Sequence, residues 1–300
     1  METAQLTTAR PAPAVPARRD WSALFAYLLI SPPLLVLTLL IFIPAAQAVI
    51  ETLSTTDAAT GQTTLTLQNY IAFFQDPILV ANLEFTIQIT IATVALLFVI
   101  GFPLALYLRF SKSRIAAAVQ VLALFPLFVP GVILSFALIE FLGSHGMFDT
   151  MLNLIGIQGY RTPYQHLQGI VIALVWENIP FTVLILTAGL RQVEDAVVES
   201  ARDVGANFWQ IFTRILLPLS KRSAMIVLCL NIIGVFGAFT IPYLLGPAQP
   251  MTMGVSMQQT FNRYEDRTGA LTQAVITFLF CAVVGVLYVR TITQPREGQR

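Results

Sequence analysis

The sequence predicts an all-α membrane protein: six transmembrane helices with one long, ordered loop on the cytoplasmic side. Three observations predict it. Of 300 residues, 56% are hydrophobic and 11% are charged, whereas soluble domains carry about a quarter charged. Apolar runs that reach the ~20 residues needed to cross a bilayer recur six times. The connections leave no room for a separate soluble domain, yet within residues 191–222 the stretch VVESARDVGANFWQIFTRILLPLSK mixes acids, bases, a glycine and a proline.

Residues 1–20 are rich in Ala, Pro and Thr with three arginines, a composition that buries no core and reads as a disordered cytoplasmic tail. Residues 21–292 form one membrane domain, and 293–300 a second cytoplasmic tail. The first span is 21–50. Basic residues before it and Ala46-Gln47-Ala48 imitate a secretory signal, but its apolar run exceeds the 7–15 residues of a signal core and five more spans follow. The loop 51–82 ends in LTLQNYIAFFQDP, where Leu67, Tyr70, Ile71 and Phe74 recur at helical spacing and predict a short interfacial helix. Spans two and three are 83–110 and 115–142. The loop 143–166 repeats the interfacial pattern with Phe148, Met151, Leu152 and Ile155. Spans four, five and six are 167–190, 224–245 and 269–290.

Prolines punctuate these spans at 32, 33, 44, 103, 126, 130, 180 and 242. Two readings stay open: kinks that shape a bundle, or helices broken around a pathway. Apart from Arg161, Arg263 and Arg267, every Lys and Arg lies on the side of the two tails, residues 109–114 and the loop 191–222. The positive-inside rule then makes both termini and that loop cytoplasmic. A net charge of +1 gives no reason to expect a nucleic-acid partner, and the lipid bilayer is the surrounding medium.

Cys229 and Cys281 fall inside spans, where free thiols act as small hydrophobes, so no disulfide framework is expected. His145 and His166 lie outside the spans, with no HExxH and no nucleophile beside a base. No catalytic residue and no metal site is therefore expected.

In the long loop, Val193, Val197, Ala201 and Val204 repeat every three or four residues while Glu194, Asp195, Glu199, Arg202 and Asp203 take the other faces. That pattern is an amphipathic helix. Gly205 follows it, where a left-handed cap suits glycine. A second helix runs from Asn207 through Trp209, Phe212, Ile215 and Leu216 to Pro218, which ends or kinks it before span five. Ser200, Ala201, Gly205 and Ala206 gather at the bend and leave room for another surface to approach.

This segment resembles the EAA loop of the membrane subunits of binding-protein-dependent ABC importers: Glu-Ala-Ala, three residues, Gly, nine residues, Ile-x-Leu-Pro. Here it reads Glu199-Ser200-Ala201, Gly205 and Ile215-Leu216-Leu217-Pro218, with Ser200 in place of Ala. The resemblance implies the type I ABC importer permease fold in a bacterial inner membrane. It also implies that Glu199, Ser200, Ala201, Gly205, Ala206, Ile215, Leu217 and Pro218 couple the chain to an ATPase. The implied partners are a second permease chain, similar or identical, two cytoplasmic ATPase subunits and an extracytoplasmic solute-binding protein. With no G-x-x-x-x-G-K-[ST] loop in this chain, the chain is not an enzyme and binds no cofactor; ATP and Mg belong to the partner ATPases.

LFPLFVPGVILSFALIEFLG, ESARDVGANFWQIFTRILLPLS and FGAFTIPYLLGPAQPMTMG look like the spermidine/putrescine branch more than the maltose-type branch. This likeness, continuous over 68–290, implies a small polar solute such as a polyamine, although permeases for iron(III), inorganic anions, phosphonates and sugars share the pattern. Glu177 is the deepest ionisable residue, flanked by Trp176, Asn178 and Pro180; it either lines the solute pathway or knits helices together. On span five, Asn231, Gly234, Ala238 and Pro242, with Gly237 and Thr240 nearby, form a small, partly polar stripe. The stripe is either a tight helix contact or pathway lining. Glu140 reads as interfacial. An ion-gradient-driven secondary transporter is the alternative of another class; it calls for inverted repeats and several polar broken helices.

Overall fold

A computed structural model describes residues 21–56 and 63–293. The expected tails, 1–20 and all of 293–300 but Thr293, lie outside the described residues. The chain divides between Ala48 and Val49 into two compact units.

The first unit contains α1 (Trp21–Leu37), a π-helical turn (Thr38–Phe42) and most of α2 (Ile43–Thr52), one continuous apolar rod. Pro32 and Pro33 stay inside α1. The π turn sits just before Pro44: the Ile43 amide donates to the Thr38 carbonyl, widening the helix where the proline ring would otherwise meet a carbonyl four residues back.

The second unit opens with a small antiparallel ribbon, β1 (Ser54–Thr56) against β2 (Thr63–Leu65), with Ser54 opposite Leu65. After it come α3 (Gln68–Gln75), α4 (Pro77–Phe110), α5 (Arg114–Leu124), a 3-10 turn (Phe125–Phe128), α6 (Gly131–Leu142), α7 (Met147–Leu154) and α8 (Leu167–Arg191). The rest is α9 (Asp195–Asp203), α10 (Phe208–Ile211), a second π turn (Phe212–Leu216), α11 (Leu217–Phe236), α12 (Thr240–Leu245), α13 (Met253–Asn262) and α14 (Arg267–Thr293). Among the described residues six helical stretches are long and apolar enough to cross a membrane.

Helices α4, α8, α11 and α14 form the bundle, α4 lying along α8 and α11 packing on both α8 and α14. Lipid tails are as apolar as leucine, so close packing and hydrogen bonds, more than hydrophobicity, hold such helices together. Gly101 of α4 lets α8 come near: a Cβ there would sit 2.7 Å from Thr182 Cγ2. Asn82, Thr86, Thr90 and Thr93 line one buried side of α4. Asn82 Oδ1 accepts the Met251 amide at 2.9 Å and Thr86 Oγ1 the Met253 amide at 2.8 Å, which straps the segment before α13 onto α4.

Two expectations are corrected. The third span is not one helix: Pro126 and Pro130 divide it into α5 and α6 through the 3-10 turn, because Pro130 removes a donor and holds an extended backbone. The fifth span ends at Phe236, where Gly237 caps α11, so the expected stripe from Asn231 to Pro242 is broken and shares no single face. The short helix expected in the loop 51–82 is α3, with Phe73 buried and Ile71 and Phe74 exposed. On α7, Phe148 packs between Phe141 and Tyr160 at 5.6 and 5.3 Å. Burial, and secondarily Asp149, pushes the Tyr160 phenol above its ordinary value, and its hydroxyl donates to the Leu142 carbonyl at 3.2 Å.

Candidate functional site

Two constellations stand out, a helical knob at one end of the bundle and a convergence of broken helices within it. The knob is α9, Gly205 and α10. Gly205 has φ +85°, and around it the Ala206 amide bonds to the Ala201 carbonyl at 3.0 Å and the Gly205 amide to Arg202 at 2.9 Å. This double closure is a Schellman end, and its left-handed residue favours glycine. Asn207 then starts α10 with a capping box: Asn207 Oδ1 accepts the Gln210 amide at 2.9 Å and Gln210 Oε1 accepts the Asn207 amide at 2.8 Å.

The knob's inner face is Val193, Val198, Ile211 and Leu216, all buried with Ala105 of α4, Leu186 and Leu190 of α8 and Val227 of α11. The expected inner stripe is corrected here. Glu194 caps α9 with extended backbone, so Val193 precedes the helix and Val198 with Ala201 turn inward. Val197 and Val204 are exposed, and with Ala196 and Ser200 they make an outward face. Pro218 does not end the second helix. The π turn 212–216, closed by the Leu217 amide on the Phe212 carbonyl, leads into it as the earlier π turn leads into Pro44, and the rod runs from α10 through α11.

Of the residues singled out by the EAA pattern, Glu199, Ser200, Gly205, Leu217 and Pro218 are exposed. Ala201, Ala206 and Ile215 are half-buried against the inner cluster. Sequence reasoning missed Arg109, in the last turn of α4. Its Nε donates to the Leu190 carbonyl at 3.2 Å, and its Nη2 reaches the Val193 carbonyl at 2.9 Å and Asp195 Oδ1 at 2.5 Å. A cation at the end of an apolar run, with an acid opening the next helix, was the available signal.

The second constellation gathers around Glu177, midway along α8 and half-buried. Trp176 meets Phe125 of the 3-10 turn edge-on at 6.3 Å. Glu177 Oε1 lies 3.0 Å from where a Gly131 Cβ would stand, and Ile241 of α12 lies 3.7 Å from the same point. The starts of α6 and α12, both left by breaks in their spans, thus meet the middle of α8. Pro180 has no amide to offer the Trp176 carbonyl beside the carboxylate.

Asn178 and Asn231 are engaged elsewhere. Asn178 Nδ2 donates to the Leu174 carbonyl at 2.8 Å. Asn231 is buried, donating to Thr182 Oγ1 at 2.9 Å. Thr240 is exposed at the start of α12. Among the described residues no group of His, Cys, Asp and Glu could hold a metal ion.

Residues 98–295, which include the knob, Glu177 and the breaks around it, match the family described as binding-protein-dependent transport system inner membrane component. The chain belongs to that family. It is a multi-pass, non-catalytic permease subunit of an ABC importer. This permease is similar to the sulfoquinovosyl glycerol transport system permease protein SmoG of Agrobacterium fabrum, 28% identical over 284 residues and 90% of each chain. It is also similar to the spermidine/putrescine transport system permease protein PotB of Escherichia coli strain K12, 27% identical over 249 residues, 81% of this permease and 89% of that one. In fold it matches a chain of the crystal structure of a bacterial alginate ABC transporter, with a TM-score of 0.71 at 21% identity over 91% of this permease and 93% of that chain.

Proposed function

We propose that this permease forms half of an import pathway and that α9 and α10 are the lever through which a separate ATPase moves it. Both termini and the knob lie on the cytoplasmic side, where Lys and Arg are concentrated. The other half is a second permease chain, similar or identical. Two cytoplasmic ATPase subunits carry the ATP and Mg, and a solute-binding protein delivers solute from outside.

One observation carries the reading. The knob's inner face is locked into the ends of α4, α8 and α11, while its outer face is small, exposed and unpartnered among the described residues. A displacement of α9 is therefore passed to three bundle helices at once. In the test, Val197→Cys in a chain lacking Cys229 and Cys281 carries a short photo-crosslinker in intact cells. The expected product joins this chain to a protein with a phosphate-binding loop. Crosslinks confined to lipid or to an extracytoplasmic protein would refute the reading.

The solute in this proposal is a small polar cation of the polyamine class, passing Glu177. No Lys or Arg lies within the middle of a span, so the carboxylate meets an entering charge without a resident counter-ion. The relatives are named for a sulfonated glycoside, polyamines and alginate, so Glu177 is what favours the cation. Radiolabelled spermidine uptake with an intact complex tests it, with a sulfonated glycoside as the competing solute.

A further inference from the structure

Where α10 turns against the end of α4, an apolar cleft of about 400 Å³ opens. Phe102, Leu106 and Phe110 form one wall and Phe208, Trp209 and Phe212 the other. Phe212 meets Phe102 and Trp209 edge-on, each at 6.1 Å, and lies parallel to Phe208 at 6.4 Å. Trp209 nevertheless remains 68% exposed and Phe208 56%. Past Phe110 and Phe208 the cleft adjoins a smaller pocket of about 200 Å³ lined by Arg202. Arg202, Lys112, Arg114 and Arg214 are all exposed and make no ion pair among the described residues. Lys112 and Arg114 lie just past Phe110, with Ser111 and Ser113 between them, and Arg214 lies past Phe212 and Thr213.

An apolar slot at the end of a membrane span, with Arg202 in the adjoining pocket and three more cations close in sequence to its lining residues, has the layout of an amphiphile. We propose that the cleft is a binding site for an anionic phospholipid, with an acyl chain along the aromatic wall and the phosphate at Arg202. Lys112, Arg114 and Arg214 supply the surrounding positive field. Three features favour lipid over a soluble subunit. The α4 wall is the last two turns of a helix that crosses the bilayer, so an occupant must reach acyl depth. Trp and Tyr are the residues that settle at the headgroup level, and Trp209 with Tyr107 lines this cleft. The cations match an anionic headgroup and would be left unbalanced by a zwitterionic one. The inference stands apart from the ATPase reading, because it concerns this chain and the bilayer alone.

The test uses the full chain with Trp21→Phe and Trp176→Phe, leaving Trp209 as the sole tryptophan. It is reconstituted in phosphatidylcholine vesicles that contain either brominated phosphatidylglycerol or brominated phosphatidylcholine. Trp209 should be quenched at a several-fold lower mole fraction of the brominated anionic lipid, and raised salt should narrow the gap. Arg202→Gln should reduce the anionic preference about five-fold, the effect of one surface cation, and Arg202→Lys should keep it. Should Arg202→Gln fail to insert, Lys112→Gln with Arg214→Gln gives the same readout. Equal quenching by both lipids, or no quenching by either because protein or water fills the cleft, overturns the proposal.

Discussion

The Arg109 guanidinium meets the Asp195 carboxylate at 2.5 Å across the joint between α4 and α9, with Arg109 only 12% exposed and Asp195 67%. The asymmetry decides what the contact is worth. An exposed acid adds under ~1 kcal/mol through its charge. The Val193 carbonyl, which the same guanidinium serves, loses on the order of 1–3 kcal/mol when left unsatisfied in a buried setting, while the Leu190 carbonyl keeps the Val193 amide at 3.3 Å. Arg109→Gln should therefore lower the melting midpoint in detergent by several degrees, and Asp195→Asn by much less. In the assembled importer Arg109→Gln should leave ATP hydrolysis running with uptake reduced, because the knob no longer carries α4 with it. Equal melting losses from the two variants would show that the charge pair, and not the carbonyl clamp, holds the joint.

Gly205 separates backbone conformation from contact. Its φ is +85° and no atom lies within 4 Å of where a Cβ would stand, so a side chain meets no obstruction within this chain. The left-handed conformation costs a non-glycine residue ~1–2 kcal/mol, and asparagine tolerates it better than others. Gly205→Asn should keep most uptake, while Gly205→Val should lose about ten-fold or more with insertion unchanged, as read by membrane fractionation and transport. Equal and complete loss from both would place the cause in a docked surface that admits no side chain at all.

Asn231 bears on whether span five lines the pathway. Its donation to Thr182 ties α11 to α8, and such bonds in membrane helices are worth about 0.6 kcal/mol on average. A double-mutant cycle of Asn231→Ala and Thr182→Val should return a coupling of that order in thermal or denaturant unfolding, with KM for solute unchanged in Asn231→Ala. A rise in KM without coupling would return Asn231 to the pathway.

The bundle was legible because the bilayer imposes a length on each apolar run, although α4 begins at Pro77, ahead of the expected start of span two at residue 83. The knob was legible because Gly205 punctuates it. What escaped depends on three dimensions. Val198, not Val197, faces inward because the cap fell on Glu194, a shift that an apolar repeat with valines at both positions does not reveal. Pro126, Pro130 and Pro218 look alike in sequence, yet the first two break a span and the third is absorbed by a π turn. Arg109 acts on carbonyls some eighty residues away in sequence, and no spacing rule reaches that far.

Glu177 provides the sharpest test of the solute. The carboxylate reaches the opening residues of α6, and only the missing side chain at Gly131 leaves it that position. A hydrogen bond to a charged group is worth ~1.5–3 kcal/mol, so for a cationic amine Glu177→Gln should raise KM roughly ten- to a hundred-fold, while Glu177→Asp recovers part of it. Gly131→Val should act in the same direction by displacing the carboxylate, although it leaves the charge in place. The two variants together distinguish charge from position: a loss in Glu177→Gln alone means the field suffices, and matching losses mean the carboxylate must stand where α6, α8 and α12 meet. Unaltered spermidine KM in both variants would remove Glu177 from solute recognition and leave it as a contact between broken helices.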